Sequence, residues 1–174
     1  NNVQIIDIER FAIHDGPGIR TVVFFQGCPL HCPWCANPET QRPLKTLMYD
    51  RNKCIGCGSC RNICPRSNIV MTDRHPVFST HFCGNCKECV KSCPQNAIRI
   101  AGKSLTTDEI LAVILRDKDY YDHSFGGVTL SGGECLLQES AAIELLQSCR
   151  QHGIHTAMET SGNICSSSLT NALP

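Results

Sequence analysis

The chain opens on an alternating stretch, VQIIDIERFA at 3–12, in which apolar and polar positions follow the two-residue period of a half-buried strand. A turn punctuated by Gly16, Pro17 and Gly18 follows. The unbroken apolar run VVFF at 22–25 then predicts a buried strand ending at Gly27, with a cysteine-rich loop after it. Periodicity fades between 50 and 100 and returns at SLTTDEILAVILRDKDYY, where Thr106 and Glu109 form a capping-box pattern. Ile110, Val113 and Ile114 share a helical face there, with Leu111 and Leu115 beside it. GGVTLSGGE predicts a short strand ending in a glycine loop, followed by a helix over about 138–152 closed by Gly153 and a strand in IHTAMETSG. Strand, helix and strand at this spacing make a right-handed crossover in a parallel sheet, and the unusual loops are expected at the strands' C-terminal ends.

Composition narrows this α/β reading. With 174 residues, 41% apolar and 18% charged, the chain supports one core and a small appendage. Lysines plus arginines equal aspartates plus glutamates at 16 each, which points to no nucleic-acid surface. A basic segment leading into an apolar one is missing at the N-terminus, and no run approaches the roughly 18 apolar residues of a membrane span. A cytoplasmic, reducing location is the expectation. At roughly 30 residues or more per strand–helix unit, the length outside the 50–100 segment does not close a barrel. The expectation is an incomplete barrel, with Asn1 in place of an initiator methionine in agreement. The alternative is a small open sheet, complete as it stands, whose last strand would be an unpaired edge.

Fourteen cysteines change the picture most. A disulfide framework is the ordinary reading of so many in a short chain, but eleven fall in C-x2-C or C-x3-C runs that would close almost no loop. Cys54, Cys57, Cys60, Cys64, Pro65 and Ile69 recur at the same spacing as Cys83, Cys86, Cys89, Cys93, Pro94 and Ile98. Each half is the bacterial ferredoxin run C-x2-C-x2-C-x3-C-P, whose fourth cysteine ligates the other cluster. The expected ligand sets are Cys54, Cys57, Cys60 and Cys93 for one 4Fe-4S cluster, and Cys83, Cys86, Cys89 and Cys64 for the second. Zinc needs only four ligands in two pairs, whereas two complete quartets stand here in tandem. Cys28, Cys32 and Cys35 differ in spacing and have no fourth partner nearby, so they would leave one coordination position open. A zinc site completed by a distant His31 or His14 is the alternative. Cys149, among Ala142, Leu145 and Leu146, and Cys135 are read as packing thiols.

The triad C-x3-C-x-aromatic-C, with Trp34 in the aromatic slot, resembles the signature of the radical S-adenosylmethionine enzymes. The resemblance implies a third 4Fe-4S cluster on Cys28, Cys32 and Cys35, whose open iron is chelated by S-adenosylmethionine, with Trp34, Cys35 and Ala36 on the adenine side. SGGE, with Ser131, Gly132, Gly133 and Glu134, looks like the loop that binds the methionine moiety. ETSG, Glu159 to Gly162, looks like the strand-end motif near the same ligand's carboxylate; an ordinary strand terminus is its alternative. DGPGIRTVVFFQGCPLHCPWCANPE, GGVTLSGGE and GIHTAMETSG together resemble the glycyl-radical enzyme activating enzymes.

That resemblance implies a partial radical-SAM barrel over 1–49 and 101–174, interrupted by a ferredoxin-like α+β insert over 50–100 that carries two 4Fe-4S clusters and relays electrons. It also implies S-adenosylmethionine as cosubstrate, a flavodoxin or ferredoxin-type reductant, and a glycyl-radical enzyme as protein substrate, with Asp15, Gly16 and Arg20 in the loop facing it. Neither nucleic acid nor membrane enters this picture. Cys135 departs from the small residue or proline usual in relatives, and the later strands with an Asp-Leu-Lys type ribose contact are absent from the sequence. A ferredoxin-like electron carrier with a structural third metal site is the rival reading; it leaves SGGE and DGPGIR without purpose.

Overall fold

The computed structural model describes residues 1–43, 45–79, 83 and 86–172. Its strands in chain order are β1 Asn2–Ala12, β2 Arg20–Phe25, β3 Thr46–Tyr49, β4 Ile69–Thr72, β5 His75–Phe78, β6 Ile98–Ala101, β7 Lys103–Thr106, β8 Gly127–Gly132 and β9 His155–Met158. The helices are α1 Ser59–Ile63, α2 Glu88–Lys91, α3 Thr107–Leu115, α4 Lys118–Ser124, α5 Glu139–Gln151 and α6 Ser166–Ala172. The chain divides into two compact units, one of Asn1–Leu44 with Gly102–Pro174 and the other of Lys45–Ala101.

The first unit is built on a five-stranded sheet in the order β7-β1-β2-β8-β9. β1 pairs antiparallel with β2 and β7, while β2, β8 and β9 run parallel. β8, α5 and β9 form the expected crossover, and β9 is, with β7, an edge strand among the described residues. The apolar run becomes β2, with Val22, Val23 and Phe25 fully buried; Val23 and Phe25 join Ile5, Ile110, Ile114, Leu130 and Leu145 in the core. The capping box is present in full: Glu109 N–H donates to Thr106 Oγ1, and Thr106 N–H donates to Glu109 Oε2.

The periodic segment 104–121 is not one helix. Its start is strand β7, and the helix breaks between α3 and α4 at Asp117, whose carboxylate is nearly inaccessible and is drawn to the sheet. Arg10 Nε donates to Asp117 Oδ2 at 2.7 Å, its Nη2 donates to Oδ1, and Thr21 Oγ1 donates at 3.3 Å. Tyr121 packs behind this cluster and donates to Thr21 Oγ1. The Arg10 bond, more than its charge alone, holds the Asp117 carboxyl below the ordinary carboxylate range. A lowered folded pKa gives stability that is present above the unfolded value and is lost as pH falls through the folded value. Thermal melts of the parent protein and Asp117→Asn, taken from neutral pH into the acid range, should therefore converge below that window. A gap that stays constant throughout would show the charge to be irrelevant.

The second unit begins earlier than cysteine content alone indicates, because β3, which precedes residue 50, pairs antiparallel with β6. β4 and β5 form a separate hairpin, and Cys60, Ile69 and Ile98 make a small core. The sequence repeat is also a backbone repeat. α1 and α2 start from left-handed residues, Gly58 and Lys87, and the same conformation recurs after each cysteine-proline pair at Ser67 and Asn96. No helix among the described residues is long and apolar enough to cross a membrane.

Candidate functional site

Parallel pairing brings three loops to the C-terminal ends of β2, β8 and β9. Glu134 N–H donates to Gly27 O at 2.7 Å and Gly133 N–H to Phe25 O at 2.9 Å, so the SGGE loop lies against the root of the cysteine loop. A β-carbon on Gly133 would stand 2.2 Å from Gly27 O, and Gly132, at φ +101°, would place one 2.5 Å from Phe25 N. Both glycines are thus demanded by the approach of the two backbones before any ligand is considered. Past the cysteines, Thr40 is buried and its carbonyl accepts from Gly27 N–H at 2.7 Å, which closes the loop on itself. Sequence reasoning missed Thr40; the proline opening the short 3-10 turn Pro38–Gln41 was the available signal.

Cys28, Cys32 and Cys35 are partly exposed, and Cys35 N–H donates to Cys32 O at 3.1 Å in a tight turn. Trp34 is 82% exposed and Ala36 is exposed as well, so this face of the loop presents an uncovered aromatic plane. Ser131 at the end of β8 donates a short hydrogen bond to the Glu159 carboxylate, and Glu159 N–H donates to Leu130 O at 2.9 Å. That carboxylate is exposed at the same strand ends as the cysteines.

Glu134 behaves differently. Its side chain is fully buried, and its carboxylate accepts from Leu136 N–H at 3.1 Å, Thr160 Oγ1 at 2.8 Å, Ser161 N–H at 2.8 Å and Ser161 Oγ at 2.7 Å. The residue thereby ties the SGGE loop to the ETSG turn. Thr160 and Ser161, its partners, were not singled out from sequence, although the capping tendency of Thr and Ser was visible there. Burial, with the neighbouring Glu134 charge second, pushes the Cys135 thiol up to about 12 and keeps it an inert packing group.

Asp15, Gly16 and Arg20 are not brought to these loops. Asp15 and Gly16 lie before β2 and Arg20 is its first residue, hence at the opposite end of the parallel strands, so not every unusual loop shares the C-terminal end. Arg20 is fully buried rather than surface-facing. It donates to Thr129 Oγ1 at 2.7 Å, Val128 O at 2.6 Å and Pro17 O at 3.1 Å, while Thr129 Oγ1 donates to Asp15 O at 2.7 Å. Its guanidinium therefore pins the 15–17 turn onto β8 through backbone oxygens, and not through the Asp15 carboxylate. Burial lowers its pKa from the ordinary value. Asp15 is half-buried and Gly16 exposed, at φ +129°.

In the second unit, Cys54, Cys57, Cys60 and Cys93 line one cavity, closed by Tyr49, Ile55, Pro94 and Ile98. Cys64, Cys83, Cys86 and Cys89 line another, against Leu47, Ile69 and Phe78. These are the two crossed quartets. None of the fourteen cysteines, all of them among the described residues, takes part in a disulfide. Among the described residues no three His, Cys, Asp or Glu side chains converge as one bare metal ion would need, whereas each quartet surrounds a cavity with an apolar wall. Four thiolate donors spread around such a space fit a cubane cluster. Backbone donors already point at the sulfurs: Gly56 N–H at Cys54 Sγ, 3.4 Å, and Ala97 N–H at Cys93 Sγ, 3.3 Å. A bond to Ser59 lowers the Cys57 pKa, while burial raises those of Cys60 and Cys89.

Comparison with known proteins gives two family matches and several relatives. Residues 14–75 match a family described as a 4Fe-4S single cluster domain, and residues 53–98 one described as a 4Fe-4S dicluster domain. The (2S)-3-sulfopropanediol dehydratase activating enzyme of Klebsiella oxytoca is 44% identical over 98% of this chain and 55% of its own length. The choline trimethylamine-lyase activating enzyme of Oleidesulfovibrio alaskensis is 45% identical over 91% of this chain and 52% of its own. The 4-hydroxyphenylacetate decarboxylase activating enzyme of Clostridioides difficile is 44% identical over the same two shares, 91% and 52%. The chain spans about half the length of these curated relatives. Nearly all of the chain thus aligns with about half of each of these activating enzymes, and both of its cysteine quartets lie within the stretch matched as a dicluster domain.

Proposed function

We propose that this protein reductively cleaves S-adenosylmethionine and installs a glycyl radical on a partner glycyl-radical enzyme. The observation that carries the reading is the meeting of three motifs at one strand end: the Cys28, Cys32 and Cys35 loop, SGGE, and Glu159 bonded to Ser131. The parallel strands β2, β8 and β9 form one sector of a radical-SAM barrel in this reading. A cluster held by the first three cysteines would supply one electron to the bound sulfonium, releasing methionine and a 5′-deoxyadenosyl radical.

The chain's own residues supply position and enclosure. Trp34, with Cys35 and Ala36, offers an exposed aromatic plane on which adenine stacks. The backbone of Gly132 and Gly133 lets the methionine end approach closely, and the Glu159 carboxylate faces its ammonium group. The quartets of the 45–101 unit hold two further clusters that relay electrons from a flavodoxin or ferredoxin-type donor in a reducing, cytoplasmic setting. Asp15 and Gly16, held by Arg20, offer an exposed turn for the protein substrate. Mixing the reduced, reconstituted full-length protein with S-adenosylmethionine should release 5′-deoxyadenosine, measured by chromatography. If none forms under strict anaerobiosis with clusters in place, the reading fails.

A further inference from the structure

The equal numbers of basic and acidic residues in the whole chain conceal a segregation between its two units. Lys45–Ala101 holds nine lysines and arginines against three acids, whereas Asn1–Leu44 with Gly102–Pro174 holds seven against thirteen. Histidines aside, the units stand at +6 and −6. Two bound clusters, at about −2 each with their thiolates, leave the smaller unit positive. Of its three acids, Asp50 and Glu88 are bridged to Lys53 at 3.8 Å and Lys91 at 2.9 Å, so only Asp73 is left to oppose the remaining cations. Arg51, Arg61 and Arg74 are exposed and take part in no ion pair among the described residues.

All three flank the loop that carries Cys54, Cys57 and Cys60. Arg51 O accepts from Cys54 N–H at 3.2 Å, and Arg61 N–H donates to Gly58 O at 3.0 Å. A β-carbon on Gly56 would stand 2.7 Å from Arg74 O and 3.4 Å from its Nε. The loop itself presents Cys57 and Ile55 to solvent, the latter 55% exposed. A small apolar centre at a redox group, with unpaired charge at its margin, suits a transient electron-transfer contact, which has little area and is steered by complementary charge. Arginines that served only to offset a cluster's own charge would be buried against it; these face water. A phosphodiester backbone takes a row of cations, whereas this short margin around an isoleucine suits a compact acidic protein. The acidic unit repels the same partner, so charge directs it to the quartets and away from the three-cysteine loop.

We propose that Arg51, Arg61 and Arg74 form the docking face for an acidic one-electron carrier protein, whose electron enters at the cluster of Cys54, Cys57, Cys60 and Cys93. The carrier is oxidised by one electron and the cluster reduced by one. The inference rests on the reading of the quartets as an electron relay, and adds to it the point of entry and the charge of the partner.

The probe is a purified flavodoxin of strongly negative net charge. Its binding to the reconstituted full-length protein is measured by calorimetry with both proteins oxidised, so that no reaction follows. Binding should weaken about tenfold between roughly 50 and 500 mM salt. The triple variant Arg51→Gln, Arg61→Gln, Arg74→Gln should bind about tenfold more weakly at low salt and lose most of the salt dependence. Reduction by flavodoxin in stopped flow should slow by a similar factor, while photoreduced deazaflavin reduces parent and variant at the same rate. Lys103→Gln, Arg116→Gln, Lys118→Gln removes the same charge from the other unit and should change binding by less than about twofold. Salt-independent binding in the parent, equal losses in the two triple variants, or an equal slowing with deazaflavin would overturn the docking face. So would tighter binding of a single-stranded oligonucleotide than of flavodoxin, or a dimer that the first triple variant dissolves. If that variant takes up no iron, Arg51→Gln alone and the parent's salt series carry the test, and insensitivity in both overturns the proposal. A parent whose clusters accept no electron even from deazaflavin would instead overturn the relay reading on which the proposal rests.

Discussion

Replacing Cys32 by alanine should abolish 5′-deoxyadenosine formation in the full-length protein while sparing the ferredoxin-type clusters. Cys32 is the middle thiol of a loop with three donors and its carbonyl anchors the turn to Cys35 N–H, so losing its sulfur leaves two ligands, too few to keep a cubane. The quartets of the second unit draw on none of these residues: each lines its own cavity with four cysteines between Cys54 and Cys93. Iron content should therefore fall by about four atoms per chain and no further. Residual S-adenosylmethionine cleavage should sit at background, a loss of at least about a thousandfold, since the four-cysteine clusters leave no coordination position open for the sulfonium ligand. The same variant decides against the electron-carrier reading. A carrier with a structural third site would keep passing electrons to an acceptor protein at an unchanged rate and would have had no cleavage activity to lose. Unchanged iron content in Cys32→Ala would sink the assignment of the triad.

Features written in short-range spacing were legible before any coordinates. Cysteine spacing places donors within reach of one cluster, the Thr106 and Glu109 box requires only a separation of three residues, and β-branched runs separated by a periodic helix define the crossover from β8 to β9. Features that depend on tertiary partners were not. Arg20 sits in an exposed-looking glycine turn and arginine is rarely buried, yet β8 supplies Val128 O and Thr129 Oγ1 to receive it. Asp117 breaks an apparently continuous helix because Arg10, on a strand far away in sequence, claims its carboxylate. Tyr49 and its neighbours look like linker until Ile98–Ala101 gives them a strand partner. In the site, the positions of SGGE and ETSG at strand ends could be read from pattern, but the inward direction of the Glu134 carboxylate could not, since nothing local distinguishes a ligand-facing glutamate from one that braces a loop.

That bracing role carries the second large effect. Glu134→Ala should destabilise the first unit by about 3 kcal/mol, because it strips a buried carboxylate from four donors at once and opens a void beneath the SGGE loop. Glu134→Gln keeps the volume, but its amide –NH2 must face either the Leu136 N–H or the Thr160 and Ser161 donors, so it should cost about 1–2 kcal/mol. Urea denaturation reads both values. Two further measurements separate a brace from a direct ligand contact. Amide exchange at 160–162 should quicken in Glu134→Ala without any ligand present, because Ser161 N–H loses its acceptor and the turn its anchor. Glu134→Ala and Ser161→Ala should also fall short of additivity, since each removes bonds the other needs. A glutamate whose role was to touch S-adenosylmethionine would show neither effect: its removal would weaken ligand binding, leave exchange at 160–162 as it was, and add fully to Ser161→Ala. The weakened binding expected here arises one step later, when the loosened ETSG turn lets Glu159 drift from Ser131 and the carboxylate at the strand end loses its place.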